Sequence, residues 1–173
     1  MLRQLKNRAH TLLPVEESLP QSPEWPQASV LLALSDQPQD PEVILTRRAS
    51  HLSTHSGEVS FPGGKLEAQD DSLCATALRE SYEEIGLAPG SVEVIGQLPP
   101  VMSRWKLEVT PFVGIVPQGV SLTPNPGEIE SIFHVPLSFF LEDKRIRTDR
   151  FDREHVDFWA PAYDYEGYTI WGF

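Results

Sequence analysis

Hydrophobic and polar positions alternate along most of this chain in short runs. "ASVLLALS" at 28–35 and "EVILTRR" at 42–48 are compact apolar stretches separated by the polar "DQPQDP", which predicts two strands and a turn. "GEVSFPGG" predicts a short strand running into a Pro-Gly-Gly turn. "SVEVIGQL", "LEVTPFVGIV" and "EIESIFHV" predict three more strands, and "HVDFWAPAYDYEGYTIWGF" a hairpin that turns near "DYEG". The period becomes helical at "SLCATALRESYEEIG", where Ser72 or Asp71 can cap the start and Gly86 suits a left-handed end. Cys74, Leu78, Ser81, Tyr82 and Ile85 fall on the flank away from the glutamates, and that flank is expected to pack on the sheet. "PLSFFLED" predicts a short helix with Pro136 in its first turn. Ahead of all this, residues 1–27 are expected to form a short amphipathic helix and a lead-in whose four prolines oppose both helix and ladder. A helix set among mixed strands predicts one α/β layered domain over 28–173.

Composition narrows the function. With 14 basic and 25 acidic residues, the net charge of −11 argues against non-specific binding to nucleic acid or anionic membranes. A polyanionic small molecule would need local arginines or bound cations. The single cysteine, Cys74, excludes a disulfide framework and a thiolate zinc site. No apolar run approaches the ~18 residues of a membrane span, and the basic start lacks the apolar stretch of a signal peptide. The cytoplasm is the expected compartment.

The helix poses the chemical question. Glu80, Glu83 and Glu84 crowd together near its end. Like charges three and four residues apart repel by a few tenths of a kcal/mol per pair, and a helix C-terminus is itself partly negative. Arg79 adjoins the cluster with a fork that can orient a carboxylate, and the Pro-Gly-Gly turn before the helix leaves backbone unshielded. A hard divalent cation would offset the repulsion. Mg2+ or Mn2+, which favour oxygen ligands and keep waters for phosphates to replace, are the expected ions.

Residues 63–87, "GGKLEAQDDSLCATALRESYEEIGL", resemble the Nudix hydrolase signature G-x5-E-x7-R-E-U-x-E-E-x-G-U, with U a bulky aliphatic. Arg79, Glu80, Glu83, Glu84, Gly86 and Leu87 match position for position, whereas Ser81 replaces the aliphatic residue. The loop before Arg79 is one residue longer than the pattern, so the first acid is either Asp70 or Asp71, an aspartate in place of glutamate. Upstream, "LTRRASHLSTHSGEVSFPGG" is similar to a motif of the coenzyme A diphosphatase branch, with Ser53 where that branch often carries a basic residue. The resemblance implies a Nudix-type α/β/α sandwich with a mixed sheet, hydrolysing the diphosphate of coenzyme A or its thioesters.

By the same resemblance, Glu80 and Glu84 are principal metal ligands, with Glu83 and the Gly63 carbonyl as further ones. Arg79 orients the first acid and the helix glutamates. Glu128, in "NPGEIES", is a ligand or the general base, with Glu130 as its understudy. Arg79, Glu83 and Glu128 make up the expected catalytic set. Arg47, Arg48 and Lys65 are placed to meet phosphates, His55 to bind substrate or order its loop, and Trp105 to stack on adenine. The competing expectations are a Nudix enzyme for ADP-ribose, NADH or an oxidised nucleotide, and a module that binds a nucleotide without cleaving it. Retention of all three glutamates favours catalysis. The chain closes on the apolar "IWGF", so further residues or a partner subunit, as in a homodimer, are expected to cover Trp171 and Phe173.

Overall fold

Strand β1, Gln27–Ser35, is flanked by the elements that build the site. The structure is a computed structural model that describes residues 2–3, 6–7, 14–21, 23–51, 56–103, 106–153 and 156–171. Along its whole length β1 runs parallel to β7, Glu108–Val116, from Gln27↔Glu108 to Ser35↔Val116. On its other edge it meets β2, Glu42–Arg48, only at Leu34↔Val43, because the two strands splay apart.

The segment after β2 fills that gap. Val59–Ser60 (β3) pairs with β2, Gly63–Lys65 (β4) pairs with β1, and the Leu31 N–H donates to the Pro62 carbonyl at 2.9 Å. The expected Pro-Gly-Gly turn is therefore a crossing between strands, and both glycines begin β4. Glycine is required at 63: its φ is 154°, and a Cβ would lie 2.3 Å from the Ser29 carbonyl oxygen. The sheet is completed by β5 (Glu93–Gln97) and β6 (Val101–Met102) beside β7, and by β8 (Ile129–Pro136) beside β2.

Helix α1, Leu73–Ile85, lies on β1, β4 and β7. Its Leu73, Ala77 and Ile85 pack with Leu31, Ala33 and Phe112. Alternate residues of the same strands, Leu34, Val113 and Ile115, join Val43, Leu45 and Phe133 in a second core. Each side of β1 and β7 is thus covered, which is why both read as nearly continuous apolar runs. The second core is closed by the short helix α2 (Leu137–Leu141) and by a three-stranded sheet of β9 (Arg147–Arg153), β10 (Val156–Tyr165) and β11 (Tyr168–Ile170). Tyr168 stacks on Phe133 with ring centres 3.8 Å apart. Glu166 and Gly167, at φ 50° and 84°, make the tight hairpin turn where "DYEG" predicted it. The charged strand β9, "RTDRFDR", has no hydrophobic alternation to announce it. Among the described residues no helix is long and apolar enough to cross a membrane.

The helix differs from expectation in one respect. Its buried residues are Leu73, Thr76, Ala77, Ser81, Glu84 and Ile85, whereas Tyr82 is 57% exposed. The packed face is rotated toward the glutamates, and Glu84 lies within it.

Candidate active site

α1 starts where Ser72 accepts a hydrogen bond from the Ala75 N–H at 3.1 Å, and ends at Gly86, with φ 68°. Its last turn, unfavourable for acids, is relieved from outside. The Thr123 N–H donates to the Ile85 carbonyl at 2.9 Å and the Asn125 N–H to the Glu84 carbonyl at 2.8 Å. Those bonds dock the loop after β7 onto the helix end and bring Glu128 with it. The Ala49 N–H, just past β2, holds the Glu128 carbonyl at 2.8 Å.

Glu84 is 2% exposed, deep for a carboxylate. Burial pushes its pKa up to about 7, against a hydrogen bond from the Gly63 N–H (3.0 Å) and the charge of Arg48, with Glu80 and Glu128 raising it further. Arg48 Nη1 reaches Glu84 Oε1 at 3.4 Å. Glu80 lies beside it against the glycine crossing. A Cβ on Gly64 would sit 2.4–2.6 Å from the Glu80 carboxylate, so any larger residue would displace that group. Burial raises the Glu80 pKa, opposed by Arg79 and assisted by the charges of Glu83 and Glu128.

Arg79 organises the other side. Its Nε and Nη2 grip Asp70 as a fork at 2.8 and 2.9 Å, and Nη2 also donates to the Lys65 carbonyl at 3.1 Å. Nη1 serves Glu80 at 3.0 Å and Glu83 at 3.1 Å. Of the two candidate acids, then, Asp70 meets Arg79, while Asp71 is exposed. The Thr76 hydroxyl and the Glu67 N–H, each at 2.9 Å, complete the shell around Asp70. Hydrogen bonding to Arg79 holds the Asp70 pKa down at about 2 despite burial. Thr76 escaped the sequence reading, although its place three residues before Arg79 puts it on a neighbouring face.

The remaining candidates divide. Lys65 is exposed, with its backbone rather than its side chain engaged by Arg79. Arg47 pairs with Glu130 at 3.7 Å on the surface. His55 and Trp105 lie outside the described residues, as does Phe173, while Trp171 is partly buried. Among the described residues, no three His, Cys, Asp or Glu side chains already converge as a metal cage. The donor set nevertheless fits a hard divalent cation: its side chains are all carboxylates, crowded enough that Glu83 and Glu128 raise the pKa of Glu80, and Glu80 and Glu128 that of Glu84. Guanidinium groups supply the compensating positive charge.

Residues 25–159 match the family model described as the NUDIX domain. "Nudix hydrolase 22, chloroplastic" from Arabidopsis thaliana is 43% identical over 153 residues, covering 84% of this chain and 51% of its own length. "Uncharacterized Nudix hydrolase NudL" from Enterobacter sp. (strain 638) is 41% identical over 146 residues, covering 84% of this chain and 76% of its own. The chain thus spans about half the length of its plant relatives. Among solved structures, a C. elegans Ap4A hydrolase binary complex superposes with a TM-score of 0.54 at 15% identity, covering 68% of this chain and 84% of its own. The NUDIX domain of Shewanella oneidensis NrtR, complexed with ADP ribose, gives 0.52 at 17%, covering 74% and 79%. Likeness at these identities concerns the fold alone.

Proposed function

The chain belongs to the NUDIX family, and from that premise we propose that it hydrolyses the diphosphate bond of coenzyme A or its thioesters. The products are 3′,5′-ADP and 4′-phosphopantetheine or its acyl form. The observation carrying the hydrolase reading is the buried Glu84 beside Glu80, with Glu128 delivered to both by the docked loop. The coenzyme A reading rests on the stretch 45–64, "LTRRASHLSTHSGEVSFPGG".

Glu80, Glu84 and Glu83, with the Gly63 carbonyl, would hold Mg2+ or Mn2+. Bound there, the ion supplies charge neutralisation of the diphosphate oxygens and a lowered pKa for the attacking water. Arg79, fixed by Asp70, positions Glu80 and Glu83. Glu128 accepts the proton of the attacking water, whose oxygen becomes bonded to one phosphorus as the bridging oxygen leaves with the other and takes up a proton. Arg47, Arg48 and Lys65 meet phosphate oxygens, His55 binds substrate, and Trp105 stacks on adenine. Holding a diphosphate among so many acids requires those cations close by.

A product-resolved turnover assay over coenzyme A, dephospho-coenzyme A, ADP-ribose, NADH and dinucleoside polyphosphates, with and without Mg2+, tests this. Coenzyme A is expected to lead, and to exceed its dephospho form by roughly 10- to 150-fold if a charge-assisted contact reads the 3′-phosphate. Ser53, in place of a basic residue, favours the low end of that range. ADP-ribose leading the panel would discard the coenzyme A assignment. Binding without turnover of any member would leave a nucleotide-binding module instead.

A further inference from the structure

Arg48 is held differently from the other site arginine. It ends β2, the strand that splays from β1, with its backbone fixed by the crossing segment: its N–H donates to the Glu58 carbonyl at 2.9 Å and its carbonyl accepts from the Gly57 N–H at 3.2 Å. Its side chain is only loosely engaged. The approach to Glu84 is single and 3.4 Å long, outside the 2.7–2.9 Å usual for a charge-assisted bond. Its Nε is buried with no hydrogen-bond partner among the described residues. A buried donor left unsatisfied is costly, so this geometry does not exhaust what the guanidinium can bind.

Two facts then meet. The carboxylate that Arg48 touches is the most buried of those crowded at the helix, and Arg48 is the side chain the structure pairs with it. A divalent cation and a guanidinium cannot both neutralise one carboxylate at full strength, since each repels the other across it. We infer that Arg48 is a displaceable counter-cation: it neutralises Glu84 while the site holds no metal, and turns its fork to a substrate phosphate once metal takes that carboxylate. This deepens, and rests on, the hydrolase reading above. Its consequence is coupling, because metal on Glu84 releases Arg48 for phosphate, and phosphate on Arg48 bares Glu84 for metal. Each ligand tightens the other through Arg48, beyond any direct contact between the two.

The test is a pair of binding measurements at pH 8.5 on wild type, Arg48→Met and Arg48→Lys. Mn2+ affinity is read by electron paramagnetic resonance without phosphate. Affinity for methylenediphosphonate, a diphosphate that cannot be hydrolysed, is then read at saturating Mn2+. Arg48→Met is expected to bind Mn2+ roughly three- to tenfold more tightly and methylenediphosphonate at least about tenfold more weakly, on the scale of one hydrogen bond to a charged group. Arg48→Lys, which keeps the charge but not the fork, stays within about threefold of wild type for Mn2+. These opposite signs are a signature that a merely misfolded variant cannot give. Mn2+ affinity equal to or weaker than wild type in Arg48→Met overturns the inference, as does unchanged diphosphonate affinity. Because neither reading needs turnover, the expected pair of shifts in a protein that fails to cleave coenzyme A would discard the substrate assignment and keep Arg48's role.

Discussion

Two arginines flank the acidic cluster, Arg79 from within α1 and Arg48 from the end of β2, and each meets a buried carboxylate by different means. Arg79 holds Asp70 as a closed fork at 2.8 and 2.9 Å, in a shell completed by Thr76 and the Glu67 N–H. Arg48 touches Glu84 once, at 3.4 Å, with its Nε unsatisfied among the described residues. The first pair leaves its aspartate with a pKa of about 2, whereas the second leaves its glutamate at about 7. A carboxylate with all its lone pairs answered is structural. One left partly answered in a buried place is available to a ligand, and the fold is less stable for keeping it so.

The largest expected effect comes from breaking the closed pair. Asp70→Asn leaves Arg79 facing a neutral amide, and about 3–5 kcal/mol of stability should be lost in urea unfolding at pH 7. The sign with pH follows from the lowered pKa, 3.8 falling to about 2. About 2 kcal/mol of the difference is present above pH 4 and disappears as the pH falls through 2. A constant difference between variant and wild type down to pH 2 would contradict the assignment.

The open pair should fail in function instead. Glu84→Gln keeps the shape and removes the charge, so turnover at saturating Mg2+ is expected to drop at least ~10²-fold. Wild-type-like turnover would remove Glu84 from the proposed ligand set. The same variant should be more stable than wild type without metal. Between the ordinary 4.5 and the folded value of about 7, folded Glu84 keeps a proton that the unfolded chain has released, so wild-type stability falls as pH rises through that window. Glu84→Gln escapes this, gaining up to about 3 kcal/mol at pH 8 in EDTA and nothing at pH 4. Equal melting temperatures at pH 8 would mean that Glu84 is better satisfied than its contacts suggest.

The smallest effect is the control. Ser72 caps α1 without touching either pair. Ser72→Ala should lower stability by about 1 kcal/mol and leave kcat unchanged. A large loss of turnover there would mean that helix position, rather than the two pairs, controls the site.

Much of this was legible in the chain. Strand β2 falls on the residues its apolar run predicted, β1 begins one residue earlier, and the capping residues of α1 sit where their chemistry requires. The acidic crowd and its arginine were legible for the same reason: helical spacing makes neighbours of residues three and four apart whatever surrounds them. Strand β9 was not, because a strand written in charges carries no period-two hydrophobic signal and is defined by its partner β10.

Local order, then, belongs to the sequence by itself: the apolar strands, the caps, the crowded acids and the family signature are properties of near neighbours. Tertiary structure alone decided how those acids differ. It selected Asp70 over Asp71 for Arg79, rotated α1 so that Glu84 is buried and Tyr82 exposed, and set Arg48 on Glu84 from 36 residues away. It also tied Glu128 to the helix end through Asn125 and Thr123. The reason is physical. A carboxylate's pKa and partners depend on which water has been removed and which charges approach from other elements, and that is settled only when the sheet, the crossing at Gly63 and Gly64, and the helix have packed together.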